Sequence, residues 1–267
     1  MELGLGGARV LVTGGASNIG RGIVHVYARE GSRIVLCDID AEQAESVARE
    51  ARDLGAAEVV VDIRDLGEEG AAAHAVGTAN SHWGGLDVLV NNAGWSVGEF
   101  LANDHDRDRW RRLVEVNLFA SIEATQAAVE AMRNNGTGRG SIVYVASEAA
   151  FGQIRQGVYG ATKAAVVALA RTTAREHGRH GIRANIVCPG LVIPDSESAV
   201  GSSSLWAGGK DAVFNDKQID YLLKDTPLRQ LTSAADVANS VVWLSSDVVS
   251  RQVTGQLISV SGGYTMP

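Results

Sequence analysis

Cysteine and proline are scarce in this sequence. Its 267 residues include two cysteines, Cys37 and Cys188, and four prolines. Each cysteine lies inside a short apolar run without metal-type neighbours, so we interpret both as buried free thiols. Because the chain also has no low-complexity run, it lacks a recognisable linker between domains. We predict one domain spanning residues 1–267.

Basic residues are fewer than acidic ones, and long apolar runs are absent from the sequence. The formal net charge of −7 at pH 7 weighs against a general nucleic-acid surface. No stretch approaches the roughly 20 apolar residues of a membrane span, and no signal-type segment is evident. The six histidines are scattered without a metal-ligand spacing. We therefore expect a cytoplasmic protein with no metal, no nucleic-acid partner and no membrane partner.

Short apolar runs alternate with helix-like segments along most of the chain. This alternation is typical of right-handed β-α-β units, which assemble a parallel sheet. We therefore predict an α/β protein with helices on both faces of a doubly wound, mostly parallel sheet. The clearest predicted strands are residues 9–13, 33–37, 58–61, 86–90, 182–188 and 256–260.

A glycine-rich turn follows the first predicted strand. Residues 14–20 read GGASNIG and lead into a segment with helical spacing. Glycines at such a turn let the backbone approach a pyrophosphate, and the N–H groups of the helix N-terminus attract its charge. Many turns between strand and helix use glycine only for its permitted dihedral angles, so this turn alone does not decide the function.

The second predicted strand ends at Asp38, about 20 residues after the glycines. A carboxylate at this place typically accepts hydrogen bonds from the adenosine ribose of a dinucleotide, and it repels a 2′-phosphate. Ile39 offers no compensating positive charge, so we predict NAD rather than NADP. In the alternative interpretation Asp38 or Asp40 caps the helix that begins near Ala41, and Asp40 suits that role better.

The stretch from Ser147 to Lys163 joins a predicted strand to an alanine-rich helix. Tyr159 and Lys163 are four residues apart, so on a helix they share one face. A nearby ammonium favours the phenolate, and we expect the pKa of Tyr159 to fall from about 10 towards neutrality, as suits a general acid/base. Taken alone, the spacing also fits two surface residues.

Asn117 places an amide within the apolar stripe of a long helix predicted over residues 107–133. A buried amide must be hydrogen-bonded, or it costs roughly 1–3 kcal/mol. Two interpretations stay open at this point, a structural amide and a site residue. The basic residues at the start of this helix alternate with acidic ones, and we interpret them as a solvated face.

In their order along the chain, these landmarks resemble the short-chain dehydrogenase/reductase family over essentially the whole sequence. The matching pieces are TGGASNIG (13–20), Asp38, Asp62, NNAG (91–94), Asn117, Ser147, YGATK (159–163) and PG (189–190). The resemblance implies a Rossmann-type sheet of seven mostly parallel strands, assembled as a homotetramer or homodimer.

The resemblance also implies roles for individual residues. Tyr159 would be the catalytic acid/base and Lys163 would lower its pKa and bind the nicotinamide ribose. Ser147 would orient the substrate oxygen, and Asn117 would hold a water of a proton relay. Substrate contacts are expected from Ser147, Gln153 and Tyr159. The cofactor would be bound by Gly14, Ser17, Asn18, Ile19, Gly20, Asp38, Asp62, Ile63, Asn91, Ala93, Gly94, Tyr159, Lys163, Pro189, Gly190 and Val192.

The sequence departs from the family pattern at two places. Asn18 stands where the family usually has glycine, and asparagine tolerates left-handed dihedral angles. Pro194 stands where the family often has a threonine that meets the cofactor, so we expect the nicotinamide to be anchored more by backbone groups. The loosely patterned residues 195–226 are predicted to form a substrate lid, with a surface insertion as the alternative.

These observations predict an NAD-dependent oxidoreductase that interconverts a secondary alcohol and a ketone by hydride transfer. One alternative is an NADPH-using 3-oxoacyl thioester reductase. Another is a dinucleotide-binding sensor without turnover, although a binding module has no need of the pair formed by Tyr159 and Lys163.

Overall fold

Strands and helices alternate through residues 2–202, 204–208 and 215–267, which a computed structural model describes. The strands are β1 (Arg9–Thr13), β2 (Arg33–Asp38), β3 (Glu58–Ile63), β4 (Val88–Asn91), β5 (Gly140–Val145), β6 (Ile182–Pro189) and β7 (Leu257–Val260). They form one sheet in the order β3-β2-β1-β4-β5-β6-β7, and every pair of neighbours is parallel. The predicted seven-stranded, doubly wound fold is confirmed.

Helices cover both faces of this sheet. The helices are α1 (Asn18–Arg29), α2 (Ala41–Asp53), α3 (Ala71–Trp83), α4 (Arg107–Val114), α5 (Ala120–Arg133), α6 (Gly157–His177), α7 (Asp216–Asp225) and α8 (Ala234–Ser245). Side chains alternate along each strand, so Leu11 packs in the core under α3, α5 and α6, whereas Val10 and Val12 pack under α1, α2 and α8. Burial on two faces explains the nearly continuous apolar runs of the strands.

The order of the strands creates a switch point between β1 and β4. The chain winds outward from β1 through β2 to β3, and then returns to the other side of β1 at β4. Loops after β1 and β4 consequently diverge and leave a gap at the carboxyl edge of the sheet. Open α/β sheets bind their ligands at such a point.

The long helix predicted over residues 107–133 is interrupted. A π turn, Glu115–Phe119, separates α4 from α5 and contains the fully buried Asn117. Turns of this kind frequently occur at functional sites, because they redirect backbone and side-chain groups that a regular helix would keep in register.

The segment predicted as a lid contains a short 3₁₀ turn, Glu197–Ala199, and helix α7, which Asn215 and Gln218 cap reciprocally. Residue 203 and residues 209–214 of the segment lie outside the described residues. No helix in the described ranges has the length and apolar character needed to cross a bilayer.

Candidate active site

A crevice of about 520 Å³ opens at the carboxyl ends of β1 and β4. This volume is within the range of small-molecule and cofactor sites. Tyr159 and Lys163 border it on the side of β5, and Asp38 and Arg64 border it on the side of β2 and β3. Ten of the sequence-predicted cofactor residues line it: Gly14, Ser17, Asn18, Ile19, Gly20, Asp38, Ala93, Gly94, Tyr159 and Lys163.

The glycine-rich turn is built for close approach. A Cβ added to Gly20 would stand 1.8 Å from the carbonyl oxygen of Gly14, so no side chain fits there. Asn18 has a φ of +43°, the left-handed conformation expected at this departure from the family pattern. Ser17 begins α1 without a side-chain cap, and the first residues of the helix, Asn18, Ile19 and Gly20, line the crevice. This cradle fits the pyrophosphate of a dinucleotide.

Asp38 and Asp40 divide the two roles that the sequence left open. Asp40 Oδ1 accepts the N–H of Gln43 at 3.1 Å and caps α2. Asp38 faces the crevice, where its oxygens accept the N–H groups of Ala16 at 2.9 Å and Ile39 at 2.8 Å. Burial raises the pKa of Asp38, while these hydrogen bonds oppose the shift. The capping role predicted for Asp40 is confirmed.

Asn92 joins the ends of β1 and β4. Its Nδ2 donates to the carbonyl oxygens of Thr13 and Gly14, both at 2.9 Å. Thr13 Oγ1 in turn accepts the N–H groups of Asn92 at 3.0 Å and Ala93 at 3.1 Å. These bonds place Ala93 and Gly94 along the crevice. Asn92 was not among the predicted site residues, although it lies within the matching NNAG motif.

The Asn117 amide holds the loop that follows β4. Its Oδ1 accepts the N–H of Trp95 at 2.8 Å, and its Nδ2 donates to the Trp95 carbonyl at 2.9 Å and to Thr162 Oγ1 at 3.2 Å. The amide therefore supports the loop that forms this part of the crevice wall, and its place in a proton relay stays a prediction. A Cβ on Gly94 would lie 3.0 Å from Lys163 Nζ, so the loop passes close to the lysine.

Tyr159 and Lys163 lie at one end of the crevice, and Ser147, outside the lining, is hydrogen-bonded to Tyr159. Lys163 Nζ donates to the Val145 carbonyl at 2.9 Å and lies 5.8 Å from the centroid of the Tyr159 ring. Ser147 Oγ accepts the N–H of Ala149 at 3.2 Å, which leaves its hydroxyl proton available to donate.

The pKa expected for Tyr159 is wrong in this structure. Burial raises it to about 12, although the Ser147 hydroxyl lowers it in part. Burial also lowers the pKa of Lys163 to about 8. The sequence-based argument counted only the attraction between ammonium and phenolate. Burial disfavours the charged form of each group, and here it is the largest cause of both shifts.

Glu148 follows Ser147 and lies outside the main crevice. It borders a small second cavity that also contacts Gly190 and Tyr264. Thr265 Oγ1 stands 3.5 Å from Glu148 Oε2. Burial raises the pKa of Glu148 to about 7, which puts its titration close to neutral pH.

Other predicted residues lie beside the crevice lining rather than in it. Asp62 is bonded to Arg64 and Thr78, each at 2.7 Å, and Val192 offers its carbonyl to Asn18 Nδ2 at 3.2 Å. Their assigned roles stay predictions. The same holds for Ile63, Asn91, Gln153, Pro189 and Gly190, which also lie outside the lining.

Several lining residues were missed by sequence reasoning. Arg112 on α4 was interpreted as part of a solvated face, but it lines the crevice and pairs with Asp65 at 2.5 Å. Because acidic and basic residues alternate at the start of α4, the sequence did not indicate which arginine side chain points towards the crevice. The segment predicted as a lid, in contrast, was expected near the site, and it contributes Gly201, Ser204, Leu205 and Trp206 to the lining. Among the described residues, no cluster of three or more His, Cys, Asp or Glu side chains could hold a metal ion.

Comparisons with known proteins agree with this geometry. A family model described as enoyl-(acyl carrier protein) reductase matches residues 14–265. The (3R)-3-hydroxyacyl-CoA dehydrogenase of Rattus norvegicus is 33% identical, with 99% of both chains covered. A 7α-hydroxysteroid dehydrogenase complexed with NADH and 7-oxo glycochenodeoxycholic acid has a TM-score of 0.86 at 30% identity, covering 98% of this chain and 96% of its own.

A third relative carries the other dinucleotide. The structure of a putative gluconate 5-dehydrogenase from Beutenbergia cavernae, with NADP bound at low occupancy, has a TM-score of 0.85 at 30% identity and covers 99% of both chains. The chain belongs to the short-chain dehydrogenase/reductase family. It is accordingly an NAD(P)-dependent oxidoreductase that acts on CH–OH donors.

Proposed function

We propose that the protein is an NAD-dependent dehydrogenase that interconverts a secondary alcohol and the matching ketone. One observation carries the proposal: a single crevice is bordered by Tyr159 and Lys163 at one end and by the Asp38 carboxylate at the other. The proton-transfer groups and the candidate ribose acceptor are thus parts of one site. The three relatives compared above are named for hydroxyacyl, hydroxysteroid and gluconate substrates, all of which carry hydroxyl groups on secondary carbons.

Different residues bind the cofactor, orient the substrate and transfer the proton. The glycine-rich turn and the start of α1 hold the pyrophosphate, and Asp38 accepts the hydroxyls of the adenosine ribose. When bound, the nicotinamide supplies or accepts the hydride. Ser147 donates a hydrogen bond to the reacting oxygen and stabilises it as its charge changes. Tyr159 gives that oxygen a proton during reduction and takes it back during oxidation.

The pKa values set the starting protonation states. With a pKa of about 12, Tyr159 is protonated at neutral pH and is ready to donate to a ketone. Lys163, with a pKa of about 8, is largely charged at neutral pH and loses its charge above that value. These protonation states suit proton donation to a ketone near neutrality, and we expect alcohol oxidation to accelerate as the pH rises.

The preference for NAD rests on the charges around the ribose end. Asp38 and Asp40 both border the crevice there, and the nearby Arg64 is paired with Asp62 at 2.7 Å. A 2′-phosphate would meet two carboxylates and a cation that is already neutralised. Since a relative of similar fold binds NADP, the side chains rather than the fold decide this preference.

The test is a panel of secondary alcohols and ketones assayed with each dinucleotide. Tyr159→Phe should lower kcat by about 10²–10⁴-fold, the usual contribution of a general acid/base, and should leave NADH affinity within about twofold. Tyr27→Phe is the matched control, because the buried Tyr27 hydroxyl also lies beside a serine, 2.6 Å from Ser245 Oγ, but outside the crevice lining. Turnover by Tyr159→Phe comparable to the unaltered enzyme would refute the assignment. A higher kcat/KM with NADP than with NAD would refute the role of Asp38.

A second candidate substrate is a 3-hydroxyacyl thioester. It is favoured by the relative that acts on (3R)-3-hydroxyacyl-CoA, which matches this chain over 99% of its length. Adding 3-hydroxybutyryl-CoA and a cyclic alcohol to the panel separates the candidates by their kcat/KM values.

We also propose a homotetramer or homodimer, which light scattering on the purified protein tests.

A further inference from the structure

The chain segment after β6 crosses the open side of the crevice. We define the strap as residues 192–202. β6 ends at Pro189, and from there the chain runs through the strap to α2, which follows β2, four positions away from β6 in the sheet. At a spacing of about 4.8 Å per strand, this is a span of roughly 19 Å. The 13 residues from Gly190 to Ser202 cover that distance without being fully extended.

Three contacts tie the strap to the opposite wall. Near its start, the Val192 carbonyl accepts a hydrogen bond from Asn18 Nδ2 at 3.2 Å. Further along, the Ser198 carbonyl accepts one from Gln43 Nε2 at 3.0 Å. At its end, Ser202 donates to Asp40 Oδ2 from its N–H at 2.8 Å and from its hydroxyl at 2.9 Å. The last two contacts lie where α2 begins, beside the candidate ribose site.

Asp40 uses its two oxygens for separate tasks. Oδ1 accepts the N–H of Gln43 and caps α2, whereas Oδ2 accepts both donors of Ser202. The hydrogen bond from Gln43, with further contributions from Ser202, lowers the pKa of Asp40. The carboxylate is therefore ionised at neutral pH, and a charged acceptor makes the stronger kind of hydrogen bond.

The strap approaches Asp40 too closely for most residues. A Cβ on Gly201 would stand 2.5 Å from Asp40 Oδ2. Gly201 itself lines the crevice, and so do Asp40 and Gln43. The contact thus joins two parts of the crevice wall that come from elements about 160 residues apart in the chain, as the separation of Asp40 and Ser202 shows.

We propose that Asp40 is a positioning residue that holds the strap closed over the adenosine end of the crevice, so that dinucleotide exchange requires release of this contact. The inference deepens the proposed function, since it takes a nicotinamide dinucleotide as the ligand. The strap then acts as a fourth wall of the cofactor site. Opening it exposes the ribose end, while the residues around Tyr159 stay in place.

Asp40→Asn separates the two tasks of this side chain. The remaining carbonyl oxygen still caps α2 through Gln43, but the amide nitrogen now meets the N–H and hydroxyl of Ser202 with donors of its own. Asp106→Asn is the matched control, because Asp106 caps α4 in the same way by accepting the N–H of Arg109 at 2.9 Å. Ser202→Ala gives an intermediate step, since it removes the hydroxyl and keeps the backbone bond.

Two measurements test the proposal. Hydrogen exchange of residues 198–202 in the protein without added dinucleotide should become about tenfold faster in Asp40→Asn and stay unchanged in Asp106→Asn. Stopped-flow displacement should show NADH leaving about tenfold faster from Asp40→Asn, two- to threefold faster from Ser202→Ala, and at the original rate from Asp106→Asn. The KM for the dinucleotide should rise with these rates.

Different failures have different meanings. Unchanged exchange in Asp40→Asn would mean that the carboxylate does not hold the strap, and would overturn the inference. Faster exchange with an unchanged NADH dissociation rate would also overturn it, because the contact would then only order a loop. If neither NADH nor NADPH bound the unaltered protein, the proposed function would fall together with the inference.

Discussion

Replacing Asn117 by alanine tests how the interior of the site is held together. The Asn117 side chain is fully buried and makes both a donor and an acceptor bond to the backbone of Trp95. Alanine removes both bonds and the donor to Thr162. The loop carrying Gly94 and Trp95 then loses its main support next to Lys163.

The cost can be estimated from these contacts. Each neutral hydrogen bond contributes about 1 kcal/mol, and an orphaned buried group costs about 1–3 kcal/mol. Trp95 is half-buried, so water replaces part of its lost bonding. Thr162 Oγ1 still donates to the Tyr159 carbonyl at 2.7 Å. Alanine regains about 0.5 kcal/mol in helix propensity. The net loss in the free energy of unfolding is about 2–3 kcal/mol.

Urea denaturation followed by circular dichroism measures this loss, and turnover with the best alcohol of the panel measures the effect on the site. Asn185→Ala is the matched control. Asn185 is also fully buried and bonds backbone in both directions, to Val253 at 2.8 Å and from Gln256 at 3.1 Å, but it lies between β6 and the chain before β7.

Both variants should lose stability, whereas only Asn117→Ala should lose activity, by tenfold or more at a temperature where both remain folded. A stability loss below about 1 kcal/mol for Asn117→Ala would refute the accounting of its hydrogen bonds. Equal kcat values for the two variants would refute the link between the amide and the crevice wall.

Two further predictions concern the cradle and the second cavity. Gly20→Ala should weaken NADH binding at least tenfold by calorimetry, because its Cβ would stand 1.8 Å from the Gly14 carbonyl oxygen; Gly77→Ala, with no atom within 4 Å of its Cβ, is the control. Burial raises the pKa of Glu148 from 4.5 to about 7. The folded state therefore keeps a proton that the unfolded state loses between these values, and wild-type stability falls as pH rises through that window. Relative to Glu148→Gln, the wild-type protein should lose about 1–2 kcal/mol of its free energy of unfolding by pH 7, after solvent screening, as measured by urea denaturation. Free energies of unfolding that depend on pH in the same way in both proteins would contradict this prediction.

Local sequence patterns were sufficient to predict the parallel strands and the shared helix face of Tyr159 and Lys163, and the family resemblance added the number of strands. Alternating apolar runs identified the parallel strands, because strands buried on both faces leave little else that the chain could form. The spacing of Tyr159 and Lys163 placed both on one face of α6, as i and i+4 positions must be. Such inferences succeed because they depend on residues close together in the chain.

The burial of side chains and the direction in which they point could not be predicted in the same way. The direction of the Tyr159 pKa shift depends on how many groups surround the phenol, and spacing along a helix carries no information on that. Arg112 and its neighbours on α4 alternate with acidic residues, and only the packing of α4 shows that Arg112 turns towards Asp65. The π turn at Asn117 is hidden for the same reason, since its sequence continues a helical pattern.

Asp40 illustrates how far a local prediction extends. Its capping role follows from its place just before α2, yet that role uses only Oδ1. The second oxygen binds Ser202, which no local pattern connects with α2. The proposed role of this contact predicts that substitutions near Ser202 alter the exchange of a dinucleotide without changing Tyr159 or Lys163. The proposal therefore predicts that the rate of cofactor exchange and the rate of the chemical step vary independently, because it assigns them to opposite ends of one crevice.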